Sequence, residues 1–283
     1  MKLLAQNDPE LKDFTEIIQP YASDLDAQKI PYWVIFHEKS VAGIVIVGHE
    51  PLMLIEPVGT KASIIYPIDS NFPADILKEF VSLALKVAQK QEVVYSFIDI
   101  SSQQDTLIDQ FLKAGYAELA NSLRMSRSLD ALLDVDSDTL RYERVKREDV
   151  DNCLEIMKKF MGGSPDVMLN IILSNIQKVP EQFLDYWFNS TQLFYAYHED
   201  DLVGFLDISP KQGLNINNLG VSSAHRGKGY GRQMMRHAMR YLKEQGVAEA
   251  KLRVHVDNMR AIQLYESLGF TKGIAKRALI WRK

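Results

Sequence analysis

Two stretches of this 283-residue sequence recur in the same order. A chain written twice has few folds open to it, because one unit must serve both copies. Phe36-His37-Glu38-Lys39-Ser40-Val41-Ala42-Gly43 resembles Tyr197-His198-Glu199-Asp200-Asp201-Leu202-Val203-Gly204. Both read as a strand, a tight polar turn and a second strand, a β-hairpin with apolar arms. Further on, Phe111-Leu112-Lys113-Ala114-Gly115-Tyr116 matches Tyr265-Glu266-Ser267-Leu268-Gly269-Phe270, with Gly115 and Gly269 154 positions apart. The same offset pairs Ile100 with Val254, Leu107 with Ala261 and Met125 with Leu279. The hairpins are 161 apart, so the first copy carries about seven extra residues between its blocks. Hairpins and Gly-aromatic helix ends are common in α/β domains; it is the shared order of two blocks that argues for duplication.

The length suits two domains of about 140 residues. A poorly periodic stretch from Ser128 to Thr139, holding Asp130, Asp134, Asp136 and Asp138, reads as the linker, so the domains are expected at 1–135 and 138–283. A net charge of −4 does not suggest a strongly basic face for nucleic acid, though it leaves room for a local basic patch. Cys153 is the only cysteine, which excludes an intrachain disulfide and a cysteine-based zinc cluster and fits a reducing, cytoplasmic setting. The first residues soon turn polar and acidic, unlike a signal peptide, and apolar runs such as Val41–Val47 are strand-sized rather than the roughly 20 residues of a membrane span. Neither a metal, a nucleic acid nor a membrane is expected as a partner.

In the second half, Leu140–Val145 alternates as a short strand. Arg147-Glu148-Asp149 opens an amphipathic helix with Val150, Cys153, Ile156, Met157 and Phe160 on one face. A second helix is expected around Met168, Ile171, Ile172 and Ile176, and the hairpin over Gln192–His198 and Leu202–Ser209. Leu214–Val221 reads as a strand, Gly229–Gln245 as a helix, Ala250–Val256 as a strand, Met259–Leu268 as a helix and Ala275–Trp281 as a closing strand. This is an α+β unit on a largely antiparallel sheet, with one strand-helix-strand crossover supplying a parallel pair.

Between the fourth strand and the long helix runs Val221-Ser222-Ser223-Ala224-His225-Arg226-Gly227-Lys228-Gly229-Tyr230-Gly231. Glycines let backbone N–H groups approach a ligand, and at a helix N-terminus those groups favour an anion. With Arg226 and Lys228 added, the turn suits a pyrophosphate. No Ser or Thr follows Lys228 where a P-loop needs one, and G-x-G-x-G is not the dinucleotide spacing.

This turn resembles the acetyl-CoA signature of the GNAT superfamily of N-acetyltransferases, R-x-x-G-x-G/A, through Arg226, Gly229 and Gly231. The family's following signature, N-x-x-A-x-x-[LF]-Y-x-x-x-G-F, is matched by Asn258, Ala261, Leu264, Tyr265, Gly269 and Phe270. The resemblance covers Leu140–Lys283 and implies acetyl-CoA as co-substrate. It implies that the pantetheine arm lies on Leu219-Gly220-Val221, that the pyrophosphate sits on Arg226, Gly227, Lys228, Gly229, Tyr230 and Gly231, and that Asn258 contacts the arm. Asn258 also reads as a helix N-cap. Tyr265 matches the family's general acid, which protonates the departing thiolate. Many members carry a Glu on the strand before the turn, whereas this strand reads Leu214-Asn215-Ile216-Asn217-Asn218-Leu219. No base is named; a water held by Asn217 or Asn218 and the imidazole of His255 are the alternatives.

The 154 offset sets Phe72 opposite Arg226, Asp75 opposite Gly229, Leu77 opposite Gly231, Gln104 opposite Asn258 and Phe111 opposite Tyr265. The first copy thus keeps a GNAT-like scaffold without the CoA chemistry, an arrangement resembling the tandem members of the superfamily. It is expected to shape the substrate cleft or to mediate a homodimer. The expected activity is acetyl transfer from acetyl-CoA to a primary amine by direct attack. The alternatives are a non-catalytic acyl-CoA binder and a scaffold in which both halves are relics.

Overall fold

The computed structural model describes residues 1–16, 18–19, 25–26, 28–49, 56–57, 59–68, 71–130, 138–176, 179–210 and 213–283. Most of the expected linker, including the boundary at 135, lies outside the described residues. The chain forms two compact units, Met1–Asn121 with Ala275–Lys283, and Ser122–Ile274.

The elements follow one another as β1 (Lys2–Ala5), β2 (Tyr32–His37), β3 (Ser40–His49), β4 (Lys61–Pro67), α1 (Ala74–Lys90), β5 (Tyr95–Ser101), α2 (Asp105–Lys113) and β6 (Ala117–Ser128). They continue as β7 (Arg141–Arg144), α3 (Val150–Met161), α4 (Val167–Asn175), α5 (Glu181–Ser190), β8 (Gln192–His198), β9 (Asp201–Ile208), β10 (Ile216–Val221), α6 (Tyr230–Glu244), β11 (Glu249–His255), α7 (Met259–Ser267) and β12 (Thr271–Arg282). Among the described residues no helix is long and apolar enough to cross a membrane.

In the first unit β1, β2, β3 and β4 pair antiparallel in sequence order, and β4 pairs parallel with β5. Lys276–Arg282 of β12 closes that sheet antiparallel to β5. In the second unit β7, β8, β9 and β10 pair antiparallel in order, and β10 meets β11 in parallel. Ser122–Ser128 of β6 closes this sheet antiparallel to β11. Each repeat therefore ends in a 12-residue strand whose later residues belong to the other repeat's unit. The sequence places the closing strand at Ala275–Trp281 and assigns it to the second domain. The strand is longer, and its part from Ala275 onward lies in the first unit. Strand periodicity marks residues for a sheet but does not say which sheet receives them.

The two copies repeat each other in backbone detail. Glu38 and Glu199, at the hairpin turns, have φ of 52° and 54°. Gly115 and Gly269, after α2 and α7, have φ of 90° and 82°. At Gly43 a Cβ would meet the Phe80 ring of α1 at 2.7 Å, and at Gly204 it would meet Met234 Sδ of α6 at 2.4 Å. In each unit a bare spot on the second hairpin strand seats the long helix.

That helix buries one stripe, Leu77, Phe80, Val81, Ala84, Val87 and Ala88 in α1, and Tyr230, Met234, Met235, Ala238, Met239 and Leu242 in α6. Each large side chain so buried contributes about 1.5–3 kcal/mol. In α3 the buried stripe is Val150, Cys153, Leu154, Met157 and Phe160. Leu154 thus takes the place that periodicity gives to Ile156, which is half-buried. Helix α5 goes unread in the sequence because its aromatics, Tyr186 and Trp187, are adjacent and blur the period; Pro180 just before it marks the start.

Candidate active site

Strand β10 runs beside β9 through Val221, but its parallel pairing with β11 is confined to Ile216 and Leu252 among the described residues. Just before that pair, Asn215 N donates to Lys251 O at 2.9 Å and Lys251 N to Asn215 Oδ1 at 3.1 Å. Beyond it the strands part. Ser222 N donates to Val203 O on the β9 side. By alternation Gly220 and Asn218 turn the same way, and Leu219 and Val221 turn their backbone groups into the gap. Gly220 is bare for a reason: a Cβ there would stand 2.9 Å from Phe160 Cβ at the end of α3.

The gap leads into the glycine turn. Gly227 and Gly229 have φ of 85° and 83°, a region other residues avoid, and Gly229 is the N-cap of α6. The N–H groups from Gly227 to Gly231 have no acceptor among the described residues, as expected at a helix start. Lys228 is exposed beside them. Tyr230 is 7% exposed, so its ring belongs to the core and only its backbone faces the turn. At Gly231 a Cβ would meet Leu264 of α7 at 3.4 Å. The guanidinium of Arg226 is occupied: Nε donates to Val221 O at 3.1 Å and Nη2 to Phe160 O at 3.0 Å. It fastens the turn to β10 and α3, where the sequence suggests a free cation for phosphate.

Helix α7 supplies the remaining expected residues. Asn258 is its N-cap, with Oδ1 accepting from Ala261 N at 3.2 Å, which leaves the amide NH2 for other contacts. Burial pushes the Tyr265 phenol up to about 12, and no hydrogen-bonding group acts on it among the described residues. Its ring lies 6.0 Å from Phe270. The hydroxyl is therefore a protonated, uncommitted donor at any ordinary pH.

A carboxylate stands one strand away from where the sequence lacks one. Asp207 on β9, opposite Asn218 of β10, is 1% exposed. Asn217 Nδ2 donates to its Oδ1 at 3.1 Å, Asn218 Nδ2 to its Oδ2 at 2.9 Å, and Trp187 Nε1 to Oδ2 at 3.4 Å. Burial raises the Asp207 pKa, and these donors work against the rise. A register shift between Ile216 and Asn218 turns both asparagines toward the same carboxylate, which a regular strand would not do. The signal for Asp207 lies in the sequence as one acid inside the apolar run Leu202–Ile208. The other candidate, His255, is tied to its own turn, with Nδ1 accepting from Asp257 N at 3.3 Å. Cys153 is buried and its thiol is pushed up to about 12, an inert state.

Residues 168–270 match the model of the Acetyltransferase (GNAT) family. Over 99% of its length the chain also superposes on 98% of a tandem GNAT protein from the clavulanic acid biosynthesis pathway, with a TM-score of 0.60 at 13% identity. The GNAT family match thus lies within the second half of the chain, and the likeness of the whole chain is one of fold. A GCN5-related N-acetyltransferase from Sphaerobacter thermophilus shares the fold over 89% of this chain and 80% of its own, with a TM-score of 0.61 at 15% identity. Among relatives in sequence, mycothiol acetyltransferase of Corynebacterium efficiens is 33% identical over 99 residues, 34% of this chain and 33% of its own length. Streptothricin acetyltransferase of Streptomyces lavendulae is 40% identical over 84 residues, 28% of this chain and 44% of its own. The matches thus span a third to under a half of these relatives.

The GNAT fold of the first unit is closed at the matching place. Strands β4 and β5 pair at four successive positions, Ala62–Tyr95 to Ile65–Ile98. Helix α1 starts after Pro73 with no side-chain cap and carries Asp75 in its first turn. Phe72 sets its ring against His37 at 4.9 Å, and Phe111 is fully buried between Phe80 and Tyr116.

Proposed function

We propose that the chain transfers an acetyl group from acetyl-CoA to a primary amine by direct attack, with the second unit as catalyst and the first as a degenerate copy. The observation that carries this is the parting of β10 from β11 after Ile216, which leaves a backbone edge that runs straight into the glycine turn of α6. In this reading the pantetheine arm lies along Leu219–Val221. The N–H groups of Leu219 and Val221 draw charge onto the thioester oxygen, a preorganised donor edge that strengthens as the oxyanion forms. The pyrophosphate takes the N–H groups of residues 227–231 and the charge of Lys228.

Tyr265 lies on the helix that borders Gly231 and donates to the departing sulfur. A phenol at about 12 is a poor acid toward a thiolate near 8.5, so the hydrogen bond itself matters first. The same burial raises the thiol as well, which narrows the gap for full transfer. Relatives of comparable similarity are named for different acceptors, mycothiol and streptothricin, which supports the donor side of the reaction and leaves the acceptor to the rest of the chain.

Calorimetric titration with acetyl-CoA tests the proposal. One site per chain is expected, since β4 and β5 stay paired in the first unit. Two sites would give the first unit a live cofactor site, and none would overturn the reading.

A further inference from the structure

We propose that Asn217 and Asn218 receive the acceptor's nitrogen, and that the acceptor is an amine largely uncharged near neutral pH, of the α-amino kind, rather than a lysine-like alkylammonium. This rests on the acetyl-transfer reading above.

Both side chains leave β10 at the bulge, beside the last pairing with β11 and just before the edge assigned to the thioester. Both asparagines aim their NH2 groups at Asp207, so both Oδ1 atoms turn away from it. Asn217 gives its second N–H to Ser209 Oγ at 2.7 Å, which completes its donor side. Neither Oδ1 meets a donor among the described residues, and both asparagines are only half-buried. Two neighbouring acceptors without donors suit a nitrogen bearing two N–H groups. Held by both, the nitrogen keeps its lone pair free for the carbonyl carbon.

An ammonium must first give up a proton to a base. Asp207 does not take it, because it sits behind the two amides with its oxygens occupied by Asn217, Asn218 and Trp187. It is a positioning residue. A lysine-like amine near 10.4 is neutral about one time in 10³ near pH 7.4, and an α-amino group near 7.8 about one time in three. A site without a base passes that ratio of roughly 300 directly into rate. In the step, the N–C bond forms and the C–S bond breaks. The sulfur takes a proton by way of Tyr265, the nitrogen sheds one to water, and Tyr265 regains its own from solvent, leaving an acetamide and a free thiol.

The test uses the full chain, saturating acetyl-CoA, and ethylamine with its mono-, di- and trifluoro derivatives, whose basicity falls with each fluorine. At fixed pH, kcat/KM per total amine is expected to climb with the neutral fraction and to level off once the amine is mostly neutral. Calorimetric binding of the same amines to the CoA-loaded protein should rank them identically without turnover. Asn218→Asp should tilt the order back toward ethylamine by adding a charge partner. Asp207→Asn should lower kcat/KM for the amine at unchanged acetyl-CoA affinity. Should that variant not fold, Asn218→Leu makes the same comparison. A flat series, or an unchanged kcat/KM in Asn218→Leu, overturns the proposal. So does a series that neither binds nor turns over while acetyl-CoA binds. Failure of acetyl-CoA to bind overturns the acetyl-transfer reading instead.

Discussion

Arg226 holds the carbonyl of Phe160 through Nη2 at 3.0 Å, joining the glycine turn to the end of α3, while its Nε holds Val221 O. An Arg fork meets two carbonyls where a lysine point charge cannot. Arg226→Gln should therefore cost about 1.5–3 kcal/mol of stability and weaken acetyl-CoA by loosening the turn. Lys228→Glu should do the reverse: it leaves the melting temperature in place and raises the acetyl-CoA Kd about tenfold or more, a cost of about 1.4 kcal/mol. Paired thermal melts and titrations separate the two. An Arg226→Gln variant as stable as the parent would dismiss the fastening role.

Tyr265→Phe should lower turnover about 10²-fold with little change in acetyl-CoA affinity. Because the phenol lies at about 12, it stays protonated through pH 10 and adds no alkaline limb to the rate profile there. A limb near pH 9 that disappears in Tyr265→Phe would contradict the burial argument.

Alkaline stability follows from the same direction of shift. Tyr32 and Tyr265 are both raised to about 12 in the fold, above the ordinary phenol near 10. Above pH 10 the unfolded chain has released these protons and the folded chain has not, so stability falls from about pH 10 to about pH 12. Denaturant midpoints across that window should decline less steeply in Tyr265→Phe than in the parent.

The matched glycines make an internal comparison. A Cβ at Gly43 meets the rigid Phe80 ring and the carbonyl of Tyr66 at 2.8 Å, whereas at Gly204 it meets the flexible end of Met234. Gly43→Ala should cost about 1–3 kcal/mol, and Gly204→Ala less. Equal losses in chemical denaturation would mean that Met234 cannot move aside.

The duplication was legible because its markers are glycines that no other residue replaces, Gly115 and Gly269 for their positive φ and Gly43 and Gly204 for the close approach of a helix. The turn before α6 was legible in the same way: glycines at φ of 85° and 83° announce it, though not what Arg226 does in it. Arg226 spends its guanidinium on two backbone carbonyls and Tyr230 its ring in the core, which a motif spacing does not reveal. Asp207 went unread because its meaning depends on the neighbouring strand and on a bulge, both set by pairing. The destination of β12 went unread because alternation is the same in either sheet.

Separate pieces spanning 1–130 and 138–283 would each lack the strand that closes their sheet. Neither piece should unfold cooperatively alone, and mixing them should restore a transition seen by circular dichroism. A 138–283 piece that binds acetyl-CoA with parental affinity would refute the dependence.

The exchange of β6 and β12 also imposes a timetable. The first unit is finished by Lys276–Arg282, the residues a ribosome makes long after β5, which they must join. At about 5–20 residues per second, the open edge of β5 waits on the order of ten seconds or more for its partner. Through that interval the leading half of a nascent chain depends on shielding from other strands, and a stall before Lys276 leaves it unfinished.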